Sequence, residues 1–327
     1  MSRSIITKKN ILHNNINYHK IKGVFAGSGS DALNNPEICE RVIQLTNKKA
    51  EDINLLYIGT ATYDSEQAMT KQTICFQDSG VNIIPFECTL KTPTENEIID
   101  VTSKADIILV SGGNTLYACD RWKSLNLQAH LASAAIRGCV LTGGSAGAIC
   151  WFTAGHSDSM DPQTYRKDNI PDSDKGDTTW EYIRVPCLNF IPGLCCPHYD
   201  KIQSNNIHRA IDFENMMRRH SNERGICIDH WASIVIPGDG TFEIFSPKDK
   251  VGSVNLETKT FDQDRNGVPG VWIKDVVNKE DVKTELIGTH GAKGSIEYLF
   301  RGTIDNSDVI EDPRINKARA ENSITFC

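Results

Sequence analysis

The first half of the chain alternates short apolar runs with longer amphipathic stretches. Gly23–Ala26 (GVFA), Asn54–Ile58 (NLLYI), Asn82–Phe86 and Asp106–Val110 (DIILV) have the length of strands. The β-branched character of the last suits a strand covered on both faces. Between them the pattern predicts helices over Asn35–Lys49, with Pro36 in the first turn, and over Ser65–Asp78, with Ser65 as N-cap and Gly80 beyond the end. Thr94 and Glu97 form a capping box that opens a helix running to Lys104. Another helix starts over Leu116–Trp122, Gly138–Thr142 reads as a short strand, and Ala146–Phe152 (AGAICWF) reads as a helix that follows at once. This rhythm predicts an α/β fold, a mainly parallel sheet flanked by helices. Sites in such sheets lie at the carboxyl ends of the strands. The loops there are Gly27–Asp31, Gly59–Tyr63, Ser111–Thr115 and Gly143–Gly147.

The rhythm then changes. Residues 153–180, rich in Asp, Ser, Thr, Pro and Gly, read as a long loop. Strands are expected at Tyr182–Val185 and Cys187–Ile191, and a helix over Asn205–His220. Three β-rich stretches follow (ICI, ASIVIP, TFEIFSP), the last two joined through a Gly238-Asp239-Gly240 hairpin signal. Residues 250–327 are polar and weakly patterned. Three segments are therefore expected: a tail over 1–20, a catalytic α/β domain over 21–250, and a polar extension over 251–327 packed on the same domain.

Composition narrows the function. The 327 residues are 39% hydrophobic, enough for a sizeable core. The net charge of −7 is spread over interspersed acids and bases, which argues against nucleic acid and anionic membrane surfaces as partners. No apolar run reaches the length of a membrane span. Eleven cysteines, odd in number and irregular in spacing, do not suggest a disulfide framework, and a reducing cytoplasm is the expected location. Arg3, Lys8, Lys9 and Lys20 with no acid make residues 1–20 basic, and a disordered tail is expected there rather than a transit peptide.

The candidate chemistry centres on Gly143-Gly144-Ser145-Ala146-Gly147, a G-x-S-x-G between a buried strand and a helix. A sharp turn of small residues lifts a serine above the sheet edge, and the helix N-terminus favours a developing anion. The plain alternative is a glycine-rich turn with an incidental serine. A nucleophilic serine needs a base, an orienter for that base, and donors for an oxyanion. His198 in Cys196-Pro197-His198-Tyr199-Asp200 is the candidate base, and a loop histidine is its bland reading. Asp158 or Asp161, just past the elbow, can hold the imidazole, although both also suit a solvated loop. The amides of Gly113, in the Ser111–Thr115 turn, and of Ala146, after the serine, can converge on one oxygen.

Taken together, S-G-G-N-T, G-G-S-A-G-A, G-H-S-D-S and P-H-Y in this order resemble the S51 serine peptidases, the family of the aspartyl dipeptidase E and of cyanophycinase. The resemblance runs from about Lys22 to about Gly240. It implies a fold like that of class I glutamine amidotransferases, with a nucleophile elbow. It implies Ser145 as nucleophile, His198 as base, Asp158 as third member and Gly113 in the oxyanion turn. It also implies cleavage of short peptides through an acyl-enzyme, with aspartyl dipeptides as one substrate class. Asn114 and Arg209 are the candidate substrate contacts. The arginine motif of bacterial aspartyl dipeptidases is not reproduced in Ser204–Arg209.

Other motifs are set aside. Gly27–Ala32 fits a dinucleotide fingerprint, but the acid expected at the end of the second strand is missing. Asp262–Gly267 opens like a calcium loop without its bidentate glutamate. Cys195, Cys196 and His198 lack the spacing of a zinc site. No cofactor is expected, and the partner is a small peptide. A homodimer stays open, as do a binding protein on the same scaffold and a nucleotide-dependent enzyme using Gly27–Ala32.

Overall fold

A computed structural model of the protein describes residues 16–166, 170, 172–278, 281–300 and 312–321. Most of the expected tail at 1–20 thus lies outside the described residues. The described strands are β1 (Lys22–Ala26), β2 (Asn54–Ile58), β3 (Asn82–Phe86), β4 (Ile107–Val110), β5 (Val140–Gly144), β6 (Phe152–Ser157), β7 (Ile183–Pro186), β8 (Ile191–Cys196), β9 (Gly225–Ile228), β10 (Ser233–Pro237), β11 (Thr241–Phe245), β12 (Gly270–Val276), β13 (Val282–Thr289) and β14 (Lys293–Ser295). The α-helices are α1 (Ser30–Leu33), α2 (Pro36–Thr46), α3 (Glu66–Asp78), α4 (Glu95–Lys104), α5 (Thr115–Ser124), α6 (Leu127–Ile136), α7 (Ala146–Ile149), α8 (Arg209–Arg219), α9 (Ile296–Leu299) and α10 (Ile315–Glu321).

Two sheets form. The first has the order β14-β11-β10-β1-β5-β4-β2-β3, and its β1, β5, β4, β2 and β3 are parallel. The second has the order β13-β12-β9-β8-β6-β7 around the parallel trio β6, β8 and β9. Alternation along the strands sorts the core into three layers. Val24, Leu55, Tyr57, Ile107 and Leu109 pack with Ile38 and Val42 of α2 and Phe76 of α3. Phe25, Leu56, Ile108, Val110 and Leu141 point the other way, toward Ile98, Trp122 and Leu131 and toward Phe152, Cys195, Ile226 and Val271 of the second sheet. The far face of that sheet is covered by Phe213, Met216 and Met217 of α8. The family fold implied above, a mixed α/β arrangement with helices on the sheets, is what the chain adopts.

Local signals act as expected at several ends. Ser65 caps α3, and Thr94 with Glu97 forms the reciprocal box on α4. The Gly238–Gly240 turn joins the antiparallel pair β10 and β11.

Other expectations are corrected. The helix expected over Ala146–Phe152 is a single turn, α7. Trp151 leaves the helix to donate from Nε1 to Thr142 O (3.3 Å), and Phe152 opens β6 against Phe25, with ring centroids 5.9 Å apart. Burial of two large rings outweighs helix continuation. The loop expected from 153 onward is strand β6 as far as Ser157, every residue of it buried. Its polar residues hid it, and each has an internal partner: Thr153 with Asn189, His156 with Asp212, Ser157 with Ser159. The strand expected at Cys187–Ile191 is a turn, with Asn189 at φ 57°, and β8 begins at Ile191. The helix expected from Asn205 starts at Arg209, where the His208 side chain accepts from Ala210 N. Past residue 250 the chain is more ordered than its polarity suggested: β12 and β13 extend the second sheet and β14 edges the first.

Candidate active site

Ser145 sits between β5 and α7 with φ 56° and ψ −123°, a conformation costly for any residue but glycine. The surrounding glycines make room for it. A Cβ on Gly144 would lie 1.8 Å from Ser28 O, and one on Gly147 would lie 2.1 Å from Val110 O. The elbow thus presses against the ends of β1 and β4. Gly113 holds φ 124° where a Cβ would meet Ala61 O at 2.2 Å. Among the described residues, neither the Gly113 N–H nor the Ala146 N–H has an acceptor within the protein, whereas Ser145 N donates to Ala26 O (3.2 Å). Both free donors flank the serine, as an oxyanion hole requires.

His198 comes from the other sheet. It follows β8 with φ 49°, and its N–H donates to Gly27 O (2.9 Å), which ties the loop after β8 to the loop after β1. Ser145, His198, Gly112 and Gly113 share one cavity of about 360 Å³ with Gly29, Thr62, Gln67, Lys71 and Gln72. Lys71 on α3 is the cation in that lining. Burial, followed by Arg209, His230 and Lys201, holds the His198 imidazole well below its usual pKa. A lowered pKa favours the neutral ring, the state a base needs.

The Nδ1 of His198 meets Nδ1 of His230 at 2.9 Å, and Nε2 of His230 meets Asp31 Oδ2 at 3.0 Å. Asp158 is elsewhere. Its carboxylate lies 3.6 Å from Nη1 of Arg209. Asp161 accepts from Ser204 Oγ (2.7 Å) and caps the turn at Gln163. Neither acid is a partner of His198 Nδ1. Arg209, expected to grip substrate, is fully buried: it donates to His156 O (2.5 Å) and lies over the Tyr182 ring at 4.9 Å. An inward guanidinium held by a carbonyl, a carboxylate and a ring has no reach into the cavity. Asn114 is also fully buried, with Oδ1 capping α5 at Tyr117 N (3.0 Å) and Nδ2 donating to Thr164 Oγ1 (3.1 Å). These bonds tie the Ser111–Thr115 turn to α5 and to the segment around Thr164, and Asn114 does not line the cavity.

Reading the sequence missed His230, Asp31 and Lys71. Asp31 lay inside the loop weighed as a nucleotide motif. His230 follows the buried ICI strand at its carboxyl end, which is the one signal that could have marked it. Lys71 sits in the middle of a helix and carried no signal.

Comparison with known proteins gives the family and the fold. A curated relative from Trypanosoma brucei brucei, named G2/mitotic-specific cyclin-1, is 29% identical over 329 residues, 91% of this chain and 92% of its own. An uncharacterized peptidase, YgaJ, of Bacillus subtilis is 31% identical over 156 residues, 48% of this chain and 59% of its own. A peptidase from an acI-B1 actinobacterium shares the fold, with a TM-score of 0.55 at 16% identity over 85% of this chain and 98% of its own. The family profile described as peptidase family S51 matches residues 24–244, a stretch that contains the elbow, His198 and His230. The chain belongs to peptidase family S51.

Proposed function

We propose that the protein is a serine peptidase that cleaves short peptides through an acyl-enzyme. The observation that carries this reading is the strained Ser145 sharing a cavity with His198 and Gly113, with the unpartnered amides of Gly113 and of the next residue, Ala146, beside it. In the forward step Ser145 Oγ bonds to the scissile carbonyl carbon while its proton passes to His198 Nε2. The carbonyl π electrons move onto oxygen, where Gly113 N–H and Ala146 N–H receive them. Collapse breaks the C–N bond, and the proton on Nε2 goes to the leaving amine. Water then repeats the sequence on the ester. A cavity of about 360 Å³ suits a dipeptide or tripeptide better than a folded protein. The lining cation, Lys71, favours substrates that bring a carboxylate.

A fluorophosphonate probe tests the reading. Wild-type protein should label at Ser145 and hydrolyse members of a dipeptide library. Ser145→Ala should lose both, a fall of about 10³-fold or more. Undiminished labelling of Ser145→Ala would place the nucleophile elsewhere.

A further inference from the structure

Two imidazoles in contact through one nitrogen each need one donor and one acceptor. His198 and His230 meet in this way, Nδ1 to Nδ1 at 2.9 Å. The other nitrogen of His230, Nε2, faces Asp31 Oδ2 at 3.0 Å. An ionised carboxylate only accepts, so this contact places the His230 proton on Nε2. The Nδ1 of His230 is then a bare acceptor. His198 must donate to it, so the His198 proton sits on Nδ1 and Nε2 keeps its lone pair. That is the tautomer that can take a proton from Ser145.

The arrangement is held by the backbone on both sides. His198 N–H is fixed to Gly27 O (2.9 Å), and His230 N–H to Asp200 Oδ1 (2.7 Å). Asp200 is fully buried, and its other oxygen accepts from Arg265 Nε (2.6 Å). His230 itself is only 8% exposed, so on its side water does not compete freely for the contact with His198.

We infer that His230 and Asp31 together form the orienting limb of this site, Asp31 setting the tautomer of His230 and His230 setting that of His198. Both are positioning residues: neither touches the reacting atoms. The limb takes the place expected for Asp158, which is occupied with Arg209. When His198 becomes an imidazolium, its Nδ1–H still has a neutral acceptor, and the Asp31 charge lies one ring beyond. The inference rests on the reading of Ser145 and His198 as nucleophile and base.

The test uses the full-length protein, labelled with ¹⁵N, and the fluorophosphonate labelling rate. Long-range ¹H–¹⁵N correlations report the tautomer of each histidine, and the signal lost in His198→Gln assigns His198. The wild type should show His198 protonated on Nδ1. In His230→Ala the His198 signal should shift toward the Nε2–H form, and labelling should slow by about 10²-fold. His230→Glu puts a carboxylate where the imidazole acceptor stood. It should keep the Nδ1–H form and label at least about 10-fold faster than His230→Ala. Asp31→Asn, at a position 61% exposed in its side chain and so safe for folding, should slow labelling by about 10-fold, because an amide can present a donor to His230 Nε2. An Nε2–H tautomer of His198 in the wild type would overturn the inference even if His230→Ala fails to fold. Wild-type labelling of Asp31→Asn together with no rescue by His230→Glu would overturn it too. If Ser145→Ala loses labelling while both limb variants keep it, the limb is rejected and the nucleophile stands. If Ser145→Ala still labels, the nucleophile is rejected, and the tautomer measurement decides the limb on its own.

Discussion

Ser145 and His198 both hold left-handed φ values, 56° and 49°, where neither side chain is at ease. Such strain persists only where surrounding contacts over-determine it, and here the contacts are Gly144 against Ser28 and His198 N–H on Gly27 O. The depressed pKa of His198 has a kinetic sign. With His198 as the proposed base, only the neutral imidazole can accept the serine proton, so activity should be lost as the ring protonates. Because burial holds the ring below its usual value near about 6.5, kcat/KM should be flat at neutral pH and fall on an acid limb with its midpoint below about 6.5. A midpoint above 7 in the pH profile of the wild type would contradict this assignment. Specificity belongs to the same scale. A lysine at the cavity wall should favour a substrate carboxylate. Lys71→Gln should therefore lower kcat/KM for Asp-Leu by about 10-fold while sparing Ala-Leu. An unchanged ratio between the two dipeptides would remove Lys71 from substrate recognition.

Helix α8 is joined to strand β6 and the residues just after it by buried polar groups, two of which, Asp158 and Arg209, were expected at the site. His156 on β6 meets Asp212 on α8 at 2.7 Å, and Arg209 at the start of α8 reaches the His156 carbonyl and Asp158. Breaking such a buried pair leaves an uncompensated group, so Arg209→Met should destabilise the protein by about 3 kcal/mol in urea titrations. The same variant should leave the Asp-Leu to Ala-Leu ratio unchanged, and a selective loss of Asp-Leu would return Arg209 to the substrate. Burial also pushes the His156 imidazole down to about 4. A ring that is neutral when folded and charged when unfolded contributes stability above the unfolded value of about 6.5, which is lost as pH falls toward 4. The melting temperature should therefore drop between these values, and His156→Gln should flatten that slope. An equally steep slope in the variant would assign the loss to other groups.

The site exists only because two sheets meet. The first supplies the ends of β1, β4 and β5, and the second supplies the ends of β8 and β9. The stretch past residue 250 reaches this junction through Arg265, whose Nε holds the Asp200 carboxylate that receives His230 N–H. Arg265→Ala should thus slow fluorophosphonate labelling, by about 10-fold, although it lies far from Ser145 in sequence. Labelling at the wild-type rate would show that Asp200 keeps its place without it. What the sequence determined by itself was local: the parallel βα rhythm, the caps on α3 and α4, the elbow at Ser145 and the histidine after β8. Each of these depends on residue periodicity, on capping chemistry or on small residues at a sharp turn, and all of those are written in neighbouring positions. The tertiary structure alone decided which polar group reaches which. Asp158 and Arg209 neutralise one another inside the fold, Asn114 is spent on a helix cap, and His230 and Asp31, separated by 199 positions, close on His198. A buried charge or donor takes the partner that packing brings within about 3 Å, and sequence spacing does not encode that distance.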